Sequence, residues 1–183
     1  MSCSLITAGR EEVCKESVGG LQAVYFMNYD SASFDKTTGS PGVDPEINDL
    51  NGYTVYKYEL KGTSAYTETV NSSRDNGTTF FSQELTLNLK KLTNEMTTQL
   101  KLLAYGRPQI IVHTKNGEAF LMGEREGADL TAGTIQTGAG LGDLYGYNLT
   151  FTGTEPMPAI YLNNALATDP WNGLTNPPSV VSS

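Results

Sequence analysis

The 183 residues carry 20 acidic and 12 basic side chains, a net charge of −8, with 38% hydrophobic and only 17% charged residues. A Gly-, Thr-, Asn- and Ser-rich composition of this size suits one domain of short strands joined by turns and excludes long charged helices, while the acidity opposes nonspecific attraction to nucleic-acid phosphates. Apolar runs such as Ile110 to Val112 or Ala23 to Met27 fall far short of the roughly 20 residues of a membrane-spanning helix.

Met1 to Arg10 contain no basic segment followed by an apolar core, so no secretory signal is read there and intracellular synthesis is expected. Cys3 and Cys14 are the only cysteines and His113 the only histidine, too few side chains to complete a tetrahedral zinc site. Intracellular synthesis favours reduced thiols over a Cys3–Cys14 disulfide.

The first expected strand is Leu21 to Tyr29, apolar on both faces and therefore central, entered through Gly19-Gly20. From Asp30 to Asn51 the chain is rich in turn formers, including Gly39-Ser40-Pro41-Gly42 and Asp44-Pro45. A loop this long in a small domain needs a reason. Strands are expected over Tyr53 to Leu60, Thr63 to Val70 and Thr78 to Leu89, with Asn71 to Gly77 as a turn cluster. Leu85, Leu87 and Leu89 share one face of the last of these, the mark of a half-buried strand.

The period then changes. Leu92, Met96, Leu100 and Leu103 recur at helical spacing, predicting one helix over residues 91–105, stopped by a left-handed Gly106 and by Pro108. Asn94, Glu95, Thr98 and Lys101 are expected on its outer face. Ile110 to Thr114 and Ala119 to Gly123 flank an Asn-Gly pair, the strongest short signal for a tight hairpin. A second hairpin is expected between Ala128 to Thr137 and Tyr145 to Thr154, across the Gly-rich turn Gly138 to Asp143. Pro156 and Pro158 leave room only for a short edge strand at Ala159 to Leu162. Beyond Asn163 an extended tail is expected, with Trp171 as a ring that docks on a surface.

Chemical motifs are weak. His113 lies inside a strand without a neighbouring nucleophile or carboxylate set, and reads as structural. Glu124, Glu126, Asp129, Asp143 and Glu155, with Arg125 among them, hold enough carboxylates for a glycosidase pair, but solvated turn residues are the simpler reading. Gly138 to Asp143 misses the phosphate-loop fingerprints and leads into a strand with no Lys. Asp44, Glu46 and Asp49 lack the alternation and the Gly of a calcium loop. Asn148-Leu149-Thr150 is a glycosylation acceptor only in a secreted chain. No catalytic, cofactor-binding or metal-binding residue is nominated, no cofactor is expected, and the protein is read as a non-enzyme. Ten tyrosines, a long loop and a Trp-bearing tail point instead to contact surfaces.

The order of elements, with the run Gly138 to Ile160 containing Gly-Asp, Tyr145-Gly146-Tyr147, Leu149-Thr150-Phe151, Gly153 and Glu155-Pro156-Met157-Pro158-Ala159, resembles the major tail tube proteins of tailed bacteriophages. That run is similar to the end of structural proteins of phages infecting Bacteroidetes-type hosts, and the resemblance covers about residues 15–163. It implies a mainly β fold, a β-sandwich or barrel-like domain with one α-helix packed on the sheet, a long early loop and extended termini. Residues 1–163 would be a single tail-tube-like β domain with an N-terminal arm and the loop 30–51, and residues 164–183 an extended C-terminal tail. The resemblance implies self-association into hexameric rings that stack into a tube, contacts with other tail or connector proteins, DNA only as cargo passing through the lumen, and residence in the virion after assembly in the bacterial cytoplasm. It also implies that the loop and the terminal arms bind adjacent rings, so deletion of Ser31 to Asp49 is expected to leave a folded subunit that no longer polymerises. The competing expectations are a head-decoration, connector or tail-terminator protein, and a carbohydrate-binding sandwich stacking sugars on Tyr53, Tyr56, Tyr58 and Tyr66.

Overall fold

A computed structural model describes residues 9–12, 14–31, 34–38 and 44–182. The Gly39 to Gly42 turn, Cys3 and the start of the chain lie outside the described residues. Cys14 is an exposed free thiol.

The fold is mainly β with a single helix, a β-sandwich-like domain. Twelve strands are assigned among the described residues. They are β1 (Leu21–Met27), β2 (Asp35–Lys36), β3 (Ile47–Asp49), β4 (Thr54–Glu59), β5 (Ala65–Ser73) and β6 (Thr78–Lys90), then β7 (Gln109–Thr114), β8 (Ala119–Met122), β9 (Asp129–Gln136), β10 (Gly146–Glu155), β11 (Ile160–Tyr161) and β12 (Ser179–Val181). Helix α1 (Asn94–Tyr105) lies between β6 and β7. One sheet has the order β11-β8-β7-β1-β4-β12, a second β5-β6-β10-β9, and β2 pairs only with β3.

Side-chain alternation builds two cores. The first lies between the two sheets: Val24, Phe26, Ile110, Val112 and Met122 of the six-stranded sheet meet Leu85, Leu87, Tyr147, Leu149 and Phe151 of the four-stranded one. The second lies on the opposite face of the six-stranded sheet, where Tyr25, Met27, Val55, Ile111 and Leu121 are covered by Phe34, Ile47, Leu50, Leu162 and Leu174. Burial on both faces is why β1, β7 and β8 read as continuous apolar runs, and the central position expected for β1 holds, with β7 on one side and β4 on the other.

The early loop and the tail therefore build the second core. Trp171 packs edge-on against Tyr25, with ring centroids 4.9 Å apart, as a docking ring should. Backbone hydrogen bonds from Asn163 to Ile47, Thr175 to Asn48 and Leu50 to Asn176 stitch tail to loop, and β12 adds to β4 as a parallel edge strand. The expectation that Ser31 to Asp49 is dispensable for folding is corrected here, because Phe34 and Ile47 are core residues.

The two predicted hairpins form as β7–β8 and β9–β10, and β11 is the expected short edge. Two details of the helix differ. Its start is Asn94 because Lys91 takes a left-handed φ of 70° after β6 and Thr93 caps the first turn, its Oγ1 accepting from Met96 N–H at 3.1 Å. Gly106 is extended, at φ −90° and ψ 175°, while its N–H donates to the Leu102 carbonyl. The chain runs straight on through Pro108 into β7, so no left-handed reversal is needed. No helix among the described residues is long and apolar enough to cross a membrane.

Candidate functional site

Four of the residues with recognisable chemistry, His113, Glu155, Asp143 and Glu124, are held by structural partners. His113 is buried on the second-core face and hydrogen-bonds through Nε2 to the Leu166 carbonyl at 2.9 Å. A carbonyl only accepts, so Nε2 carries the proton. Burial lowers the imidazole pKa, partly countered by that hydrogen bond. Glu155, also buried, accepts from the backbone N–H groups of Arg125 and Glu126 at 2.9 Å each. Asp143 accepts from Ala139 and Gly140 N–H at 2.9 and 2.7 Å, bonds that hold its carboxyl below the usual range, and so organises the Gly-rich loop as a turn. Glu124 pairs with Lys36 at 2.5 Å. Asp129 lies at the start of β9. Glu155, Asp143 and Glu124 are thus each held by a different partner.

The four tyrosines considered for sugar stacking do not share a platform. Tyr58 packs edge-on against Phe26, Tyr66 tilts onto Phe120 and Tyr53 onto Phe34. Only Tyr56 of the four is strongly exposed.

What the fold leaves open is sheet edge and groove. The outer strands of the four-stranded sheet, β5 and β9, are long at 9 and 8 residues and largely exposed. Each holds a single charged residue, Glu68 and Asp129, with no Lys and no Pro. Proteins usually blunt exposed edges with such residues, with bulges or with covering segments; here β9 has one register shift, at Thr131. The edges of the six-stranded sheet, by contrast, are stubs of two and three residues.

The uncovered face of the four-stranded sheet is a carpet of small polar side chains, including Thr67, Thr69, Ser82, Thr86, Thr150, Thr152 and Thr134, none of them buried. Its register sets Thr67, Glu84, Thr152 and Asp129 in one row across all four strands. Glu84 and Asp129 thus share one level, and Lys90 lies six residue pairs away on the β6–β10 ladder.

The two sides of the sandwich differ. On the β9 side, α1 closes the gap to β4, with Met96, Leu100 and Leu103 against the first core and an open groove of about 400 Å³ between Tyr56, Tyr58 and Leu102. On the β5 side a second groove of about 520 Å³ runs between Tyr66, Glu68, Met157 and Tyr161. Its wall is fixed by polar contacts: Glu68 accepts from Gln83 and from Ala159 N–H, both at 3.0 Å, and Gln83 accepts from Gly123 N–H at 2.9 Å.

Sequence reading pointed to the tyrosines and the loop as contact surfaces and did not register the sheet edges, because edge position depends on strand order. Comparison with protein-family models, with curated proteins and with solved structures gives no match.

Proposed function

We propose that this protein is a structural subunit that assembles head to tail through β9 of one copy and β5 of the next, closing rings that stack into a bacteriophage tail tube. The carrying observation is the pair of long, exposed edges on opposite sides of one sheet. Every junction within that sheet is antiparallel, so β9 beside β5 of a rotated copy is antiparallel too and the alternation continues without a break. A heterologous contact of this kind makes a ring when its rotation closes, and closure removes the exposed edges altogether.

The hydroxyl-rich face of the four-stranded sheet then lines the lumen. Uncharged Thr and Ser with a belt of Glu84 and Asp129 offer passing DNA no cationic partner at that level. The resemblance to major tail tube proteins supplies the stacking, the hexameric count and the virion setting of this reading. Another virion component built from the same ring, such as a tail terminator, differs in that its rings would not stack.

The test is negative-stain imaging of the purified chain at rising concentration, beside an Ile135→Lys variant. Ile135 is 54% exposed on the edge strand β9, so the charge is tolerated by the fold and opposes pairing. Rings or tubes from the native chain and none from the folded variant are expected. Assembly undiminished in the variant would remove β9 from the contact.

A further inference from the structure

Resting on the ring reading above, we propose that the outer flank of α1, around Leu102 and Tyr105, inserts into the groove between β5 and β11 of the next copy, a second contact beside the sheet junction. Pairing β9 with β5 brings the helix side of one sandwich against the groove side of its neighbour, since α1 lies along β9 and the groove borders β5.

The heights agree. Asp129 of β9 lies in the same register row as Thr67 of β5. The C-terminal end of α1 reaches that row, because Ala128 N–H donates to the Pro108 carbonyl and Gly127 packs against Arg107, where an added Cβ would lie 2.8 Å from the Arg107 carbonyl oxygen. Tyr66 and Glu68, the groove wall, flank Thr67 directly. A junction that continues this row sets helix end and groove opposite each other.

The chemistry agrees as well. Tyr105 is 84% and Leu102 60% exposed, large apolar surface on a helix whose inner face is already used. From Gln99 to Pro108 the only charges are Lys101 and Arg107. The groove answers with exposed Met157 and Tyr161 and with the acids Asp44, Glu46, Glu68 and Glu124 against Lys36 and Arg125. Its wall also holds the Tyr66 hydroxyl, buried without a well-formed hydrogen bond. Burial and the nearby Glu68 carboxylate, its neighbouring acceptor, hold that phenol protonated.

Cross-linking tests the contact. In a Cys3→Ser, Cys14→Ser background, Tyr105→Cys combined with Met157→Cys is assembled and oxidised, and a ladder of covalent multimers ending in one closed species is expected on a denaturing gel. Either cysteine alone should give no ladder. Rings or tubes that form by electron microscopy but yield no ladder would overturn the helix–groove contact and leave the edge pairing intact, as would efficient dimers from Tyr105→Cys alone, which signal helix against helix. A native chain that never assembles removes both readings. In parallel, Tyr105→Asp should raise the concentration for half-assembly at least tenfold with an unchanged circular dichroism spectrum; an unchanged concentration would also overturn the contact.

Discussion

At the level of single residues the molecule shows which atoms cannot be altered. An added Cβ at Gly146 would fall 2.0 Å from the Leu89 carbonyl oxygen, and one at Gly173 2.0 Å from that of Asn163, whereas Gly142 has nothing within 4 Å. Gly146→Ala and Gly173→Ala are each expected to cost at least about 1–3 kcal/mol, the usual range for overpacking, and Gly142→Ala almost nothing, as read by urea denaturation. His113 adds a pH dependence. Its folded pKa lies below the unfolded value, so below about pH 6.5 the unfolded chain binds the proton first. Stability from this group is therefore complete above that pH and falls as pH drops toward the folded pKa. Between pH 7.5 and 5.5 the native chain should lose up to about 1 kcal/mol more than His113→Gln, which keeps a donor for the Leu166 carbonyl but does not titrate. An identical pH response in the two proteins would refute this. The sequence alone marked His113 as structural; its partner, 53 positions away, was beyond any local pattern.

Elements divide by how locally they are specified. The long strands and the helix announced themselves, since Leu85, Leu87 and Leu89 alternate and Leu92, Met96, Leu100 and Leu103 keep helical spacing; an Asn-Gly pair fixed the β7–β8 turn. The second core did not, because its cover comes from isolated residues, Phe34, Ile47, Leu50, Leu162 and Leu174, scattered in turn-rich text. Strands of two or three residues, such as β2, β3 and β12, have no period to detect. Trp171 was the one legible sign that the tail returns to the body. Leu174→Ala is expected to destabilise by about 2–3 kcal/mol, as for other buried leucines, measured by chemical denaturation. Deleting Ser31 to Asp49 should expose the Tyr25, Met27 and Ile111 face and give a chain that fails to fold cooperatively in a thermal melt. A sharp native-like melt from that deletion would show that the second core is not needed.

For the whole molecule, what matters is where bonding potential remains unused. The central strands β1, β7 and β8 of the six-stranded sheet are buried on both faces and the sheet ends in stubs, while the four-stranded sheet keeps one polar open face and two long edges. Strand order sets this asymmetry, and no composition or spacing reveals it. Of the acidic residues visible in the composition, Glu84 and Asp129 share a row of the open sheet face, while Glu155 is buried. The most direct measurement is amide hydrogen exchange of β5 and β9 at low and high protein concentration. The ring reading predicts fast exchange of outward-facing edge amides in dilute protein and strong protection of both strands together once assembled, with β1 and β7 unchanged. Edge amides that exchange equally fast in the assembled and dispersed states would contradict it.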